Sequence, residues 1–305
     1  GDSSHFNINK CSKYASCRVL QRANIEKFRK VFMYISKKAL WSILIVFIII
    51  VGLVIFSLSL RKKSISTYAP IKGYVAIVID DLGGNGEGID ELMKVDIPIT
   101  AAIMPFLEAT ESDAEKCNDA GLEIILHIPM EPEHGSPSWL GHRPITINKT
   151  NEENRKIVED GLREVKYARG MNNHMGSKVM KDKRIITEVL KVAKENNIFF
   201  LDSLTGDYSV ADEIAHELEV IYFSRDVFLD NSTSKNDIEK SMKKLGDIAL
   251  KKGYAIGIGH VGGQGGRITI QVIDEMKEQL KANGIEFVYL SEIEKIINND
   301  EEYLK

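Results

Sequence analysis

The chain has 305 residues, 44% of them hydrophobic and 28% charged, enough apolar mass for one substantial core or two modest ones. A net charge of −4 leaves no basic footprint for nucleic acid and no acidic tail. Its cysteines, Cys11, Cys17 and Cys117, are too scattered for a zinc ribbon and argue against a disulfide framework.

In chain order, the first element is residues 39–60, ALWSILIVFIIIVGLVIFSLSL, 22 residues without a charge between Lys37–Lys38 and Arg61–Lys62–Lys63. As a helix this run covers a hydrocarbon core about 30 Å thick. It is followed by SLSLRKKSIS, which lacks an A-x-A-like exit, so the expectation is an uncleaved single-pass anchor in the cell membrane. Residues 20–38 carry six Lys or Arg and residues 61–80 carry four, which places the N-terminus in the cytoplasm and the body outside it. If Met33 is the genuine start, residues 1–32 are an upstream extension and that bias disappears. The expected division is an N-terminal segment 1–38, an anchor 39–60, a linker 61–71, a body 72–298 and a tail 299–305.

The body alternates short apolar runs with helical patterns. Strands are predicted at 74–79, 98–103, 122–127, 169–173, 198–202, 220–224, 254–259 and 285–289. Helices are predicted at 185–195, with Ile185, Ile186, Val189, Leu190 and Ala193 on one face, and at 237–251, with Ile238, Met242, Leu245 and Ala249. This alternation predicts an α/β domain: a (β/α) barrel of seven or eight parallel strands, with a doubly wound open sheet as the second choice.

In such a fold the chemistry gathers at the C-terminal ends of the strands. Asp80 and Asp81 follow the first run, and His127 ends the third, with Glu131 four residues on. Asn172, Asn173 and His174 follow the fourth run, Asp202 ends the fifth, Arg225 and Asp226 follow the sixth, and His260 follows the seventh. Histidine nitrogen with carboxylate oxygen suits zinc and related divalent ions. A bound dication would let one carboxylate of the adjacent pair remain an ionised ligand while its neighbour serves as a base. Competing motifs are weak. GIGHVG at 257–262 matches G-x-G-x-x-G but holds a histidine and no clear partner acid, and GGQGGRIT lacks the Lys-Ser/Thr of a phosphate loop, so no nucleotide cofactor is expected.

Five ordered segments, AIVIDDLG, LHIPMEP, GMNNHMGS, FLDSLT and AIGIGH, resemble the divergent polysaccharide deacetylase family, over about residues 72–295. The resemblance implies a deformed (β/α) barrel and a zinc-dependent hydrolase that removes acetyl groups from N-acetylated sugars of a cell-envelope or extracellular glycan. Matched residue by residue, it implies Asp80 as general base, Asp81 and His127 as metal ligands and His260 as general acid. The usual second metal histidine is replaced by Glu131, and the usual arginine motif is missing. The expected ligand set is therefore Asp81, His127 and His174, with Glu131 as the alternative. Asp202, Arg225 and Asn173 are expected to orient these groups from behind. A non-catalytic metal- or glycan-binding envelope protein on the same fold is the alternative reading.

Overall fold

The computed structural model describes residues 37–63 and 70–303. The predicted segment before residue 37, with Cys11, Cys17 and Met33, lies outside the described residues, as do residues 64–69 of the linker and the last two of the tail. The chain divides into two units, residues 1–67 and 68–305.

In the first unit, α1 (Lys37–Lys63) is a single helix. Its large apolar side chains from Leu40 to Val54 are 39–66% exposed, on all sides of the helix. Among the described residues no helix is long and apolar enough to cross a membrane.

The second unit runs β1 (Gly73–Leu82), α2 (Ile89–Leu92), β2 (Thr100–Ile103), α3 (Thr110–Asp119), β3 (Glu123–Met130), α4 (Asn151–Glu164), β4 (Gly170–Met175), α5 (Lys183–Glu195) and β5 (Phe199–Asp202). It continues α6 (Ala211–Leu218), β6 (Tyr222–Ser224), β7 (Val227–Phe228), α7 (Lys235–Lys252), β8 (Tyr254–His260), α8 (Gly266–Ala282), β9 (Ile285–Val288) and α9 (Leu290–Tyr303). The strands pair in the order β6-β5-β4-β3-β2-β1-β8-β7, every pair parallel. β9 shares one edge of β1 with β2, taking Gly73–Ala76 while β2 takes the C-terminal half. The sheet is a curled half-barrel, left open between β6 and β7.

Strand alternation sorts the residues into two layers. Val75, Ile77 and Ile79 of β1 face outward into the large core beneath the helices, with Ile124, Leu126 and Phe200 from other strands. Ala76, Val78, Ala102, Ile125, Leu201, Ile256 and Ile258 face inward, where Leu290 and Ile293 of α9 join them. Burial on both faces makes the N-terminal part of β1 and most of β3 and β5 read as unbroken apolar runs, whereas β4, GMNNHM, is largely polar. Continued toward the C-terminal ends, the inward series reaches Asp80, His127, Asn172, His174 and His260, where the apolar lining gives way to polar groups.

All eight predicted strands are present. The curled half-barrel is consistent with the expected deformed (β/α) barrel, and β7 is an addition: two residues are too short to show an alternation. β3 also runs on to Met130, past the expected end at His127 and through Pro129. β2 stops pairing at Leu126, so beyond it β3 has one strand neighbour, a setting in which a proline is tolerated.

Candidate metal centre

Successive residues of a regular strand point to opposite faces, so Asp80 and Asp81 should diverge. A bulge brings them together. β1 pairs Ile79 with Ala101 and then Leu82 with Ile103, one residue more on β1 than on β2. Asp81 takes the extra place with a left-handed backbone, φ 68°. Both carboxylates then approach the same atom, His127 Nε2: Asp80 Oδ2 at 3.6 Å and Asp81 Oδ1 at 3.2 Å. The bulge is held by Gly83, at φ 104°, whose N–H donates to the buried Asp113 carboxylate at 3.0 Å.

Asp81 Oδ1, His127 Nε2 and His174 Nδ1 form a small triangle. Its edges are 3.2 Å from Asp81 to His127, 3.0 Å from Asp81 to His174, and 3.2 Å between the two nitrogens. Ligand atoms sharing a tetrahedral zinc stand roughly 3.3 Å apart. The far side of each ring is already engaged: His127 Nδ1 donates to Asn172 Oδ1 at 2.7 Å, and His174 Nε2 donates to the Trp139 carbonyl at 2.9 Å. Those bonds leave the lone pairs of the two near nitrogens facing the carboxylate. Asp81 Oδ1 is buried and accepts no hydrogen bond. A carboxylate oxygen and two imidazole lone pairs converging on one point fit a divalent cation, and this is the one such group among the described residues.

When protonated, the same two imidazoles act on the carboxyl as cations. Burial would raise the Asp81 pKa, but the imidazoles of His127 and His174 outweigh it and hold the carboxyl well below the usual carboxylate range. Asp80, buried at 2% exposure, is pushed up, chiefly by desolvation. Burial works against a charged His127, yet Asp80 and Asp81 beside it raise its pKa. Asn172 ties these groups together, donating from Nδ2 to Asp80 Oδ1 at 2.9 Å and to Ser203 Oγ at 3.2 Å.

His260 lies in register with Asp80 across the β1–β8 pair. Its Nδ1 donates to Asp230 Oδ1 at 2.8 Å, while its backbone N–H and the Thr269 hydroxyl both donate to Asp230 Oδ2 at 2.7 Å. Burial would lower the His260 pKa, but the Asp230 hydrogen bond outweighs it and the value is pushed up to about 9. Asp230 is absent from the expected site. It stands just past the two-residue β7, where no strand pattern marks a strand end.

Four expected residues are placed elsewhere. Glu131 begins the excursion after β3, its carboxylate accepting from Lys178 Nζ at 2.5 Å and from the Ile147 N–H at 2.9 Å, and it stays out of the triangle. Asn173 has the opposite strand parity from Asn172 and His174, and accepts from the Ser203 N–H at 2.9 Å. Asp202 accepts from the Leu204 N–H at 2.8 Å, and Arg225 donates to the carbonyls of Ser203 at 2.8 Å and Leu204 at 3.1 Å. These last three converge on the loop after β5 rather than on the triangle of Asp81, His127 and His174.

A family profile described as divergent polysaccharide deacetylase matches residues 77–293. The Escherichia coli (strain K12) protein YibQ is 31% identical over 190 residues, 62% of this chain and 59% of that protein. An uncharacterized protein of Haemophilus influenzae is 33% identical over 192 residues, 61% of this chain and 66% of that protein. The match thus spans a little under two thirds of each of these relatives. The crystal structure of ATU2773 from Agrobacterium tumefaciens C58 has the same fold, with a TM-score of 0.68 over 74% of this chain and 90% of that one at 22% identity.

Proposed function

We propose, from the premise that the chain belongs to the divergent polysaccharide deacetylase family, that it is a metal-dependent hydrolase acting on N-acetylated sugars. Its substrate is a cell-envelope or extracellular glycan, and residues 39–60 hold it at the membrane with the catalytic unit outside the cytoplasm. The observation that carries this reading is the convergence of Asp81, His127 and His174 within 3.2 Å of one another, with Asp80 and His260 alongside.

Asp81, His127 and His174 would hold the cation, zinc by the chemistry of the donors. What a divalent cation supplies there is Lewis acidity, which lowers the pKa of water to about 7 and polarises a carbonyl. Asp80 takes the proton of the water that attacks the acetyl carbon; its burial raises its basicity above that of a solvated carboxylate. Asn172 fixes the Asp80 oxygen and the His127 ring with one amide. As the amide C–N bond breaks, His260, kept protonated by Asp230, donates a proton to the departing sugar amine. The products are acetate and a free amino sugar.

Asp81→Ala tests the reading. Metal content by elemental analysis is expected to fall from one ion per chain to near zero, and acetate release from an N-acetylglucosamine tetramer or from peptidoglycan by at least about a hundredfold. Full activity in that variant would overturn it. Metal in the wild type without release from any acetylated glycan would instead favour a non-catalytic metal- or glycan-binding envelope protein.

A further inference from the structure

Arg225 carries a positive charge to which the described residues give no counter-ion. It joins β6 to β7, the two strands between which the half-barrel is open. Its guanidinium bridges that opening at the C-terminal end. Nε and Nη2 donate to the Ser203 and Leu204 carbonyls after β5, and the group lies over the Phe228 ring of β7, 3.6 Å from its centroid.

Both supports lead back to the reacting groups. Ser203 Oγ accepts from the same Asn172 amide that holds Asp80 Oδ1. The Phe228 ring packs on the inward layer and stands 5.7 Å from the His260 ring, centroid to centroid. Arg225 therefore sits at the inner face between the proposed base and the proposed acid, near enough to Asp80 for the two charges to act on each other.

The nearby carboxylates are committed elsewhere. Asp202 accepts from the Leu204 N–H and the Tyr222 hydroxyl, Asp226 from Lys252 and the Ile256 N–H, and Asp80 from Asn172. They act on the Arg225 charge only from a distance, and burial outweighs them. Nη1 has no hydrogen-bond partner. Among the described residues Asp81 Oδ1 is the one buried polar side-chain atom without a partner, so Nη1 meets solvent. A half-buried cation held by two carbonyls and a ring face, with one amino group open, is built to take an anion.

We propose that Arg225 is a specificity-determining residue that binds a carboxylate of the substrate, so that the glycan taken by this site is an acidic one. This inference rests on the hydrolase reading above and narrows its substrate class. The carboxylate belongs to the acetamido sugar itself, as a lactyl ether, or to an adjoining hexuronic acid.

The test offers the metal-loaded full chain, in detergent, three tetrasaccharides: N-acetylglucosamine alone, alternating with glucuronate, and alternating with N-acetylmuramic acid. The two acidic ones are also supplied with their carboxyls reduced to primary alcohols, which removes the charge and leaves the rings. Binding is read by calorimetry and turnover by acetate release. The wild type is expected to favour one acidic glycan over its reduced form by at least about tenfold in kcat/KM, and which one identifies the carboxylate. Arg225→Gln should abolish that preference through KM, with metal content and the rate on the neutral tetramer retained. Arg225→Lys, which restores the charge without the planar fork, should recover part of it. A wild type that treats each acidic glycan and its reduced form alike overturns the proposal, and acetate release in that case leaves the hydrolase reading standing. Arg225→Gln that keeps the preference while slowing every substrate equally also overturns it, since a residue that only props the loop would behave so. Tighter binding of an acidic glycan, lost in Arg225→Gln, without acetate release from any glycan supports the proposal and refutes the hydrolase reading.

Discussion

Asp80 and Asp81 are neighbours in sequence, yet burial pushes one carboxyl up while two imidazoles hold the other down. One residue's difference in surroundings thus moves the two carboxyls in opposite directions. His260 has its own partner, and its chemistry can be followed by pH. Its pKa of about 9 lies above the ordinary histidine value of about 6.5, so it is protonated at neutral pH and loses the proton as pH rises through about 9. The stability contributed by the His260–Asp230 pair follows the same sign. It is complete below about pH 6.5 and is lost as pH climbs to about 9. The alkaline limb of kcat is therefore expected near pH 9. Asp230→Asn keeps an acceptor for His260 Nδ1 but removes the charge. It should move that limb down toward about 6.5 and slow turnover at pH 8 by roughly tenfold or more. A pH–rate profile of both proteins checks this; a limb that stays in place would assign it to another group.

At the scale of the element, the bulge in β1 decides whether the site exists. Without the extra residue, Asp81 would project to the outer face, away from His127. Gly83 anchors that bulge for two reasons: its φ is 104°, and a Cβ there would lie 2.7 Å from the Met104 carbonyl oxygen. Gly83→Ala is expected to cost about 2–3 kcal/mol in denaturant unfolding and to weaken metal uptake with it. Gly121 offers the control. Its φ is 78° but a Cβ would meet nothing within 4 Å, so Gly121→Ala should cost only about 1 kcal/mol and leave metal uptake alone. Equal costs for the two would mean that the contact with Met104 yields easily. The helices of this fold were easier to read than the bulge: α5 starts two residues before the predicted 185–195 and ends with it, and α7 extends the predicted 237–251 by two residues at its start and one at its end. Their amphipathic period repeats over several turns, whereas a bulge is one residue and leaves no period.

At the scale of the whole molecule, the half-barrel divides its labour along the strands. The inner face is apolar where α9 packs, and polar at the opposite ends of the same strands. The unit from residue 68 has its own two-layered core and is expected to fold alone. A chain beginning at residue 68 should stay in the supernatant after ultracentrifugation, with the thermal transition of the full chain. The full chain should sediment with membranes and resist carbonate extraction. Full-length protein left in the supernatant would refute the anchor.

The residue pattern alone determined the parallel α/β architecture, because strands buried on both faces must be continuously apolar and helices over a sheet must be periodic. The order of polar residues at the ends of those runs also marked Asp80, Asp81, His127, His174 and His260 before any contact was known. Only the tertiary structure decided which of them touch. Glu131 lies nearer to His127 in sequence than His174 does, yet Lys178 and the Ile147 amide engage it, while β4 carries His174 alongside. The same holds for Asp230, 30 residues from His260 in sequence and 2.8 Å from it in space. Ligation and hydrogen bonding depend on separations of a few ångströms, which strand register and chain curvature set and local sequence does not encode.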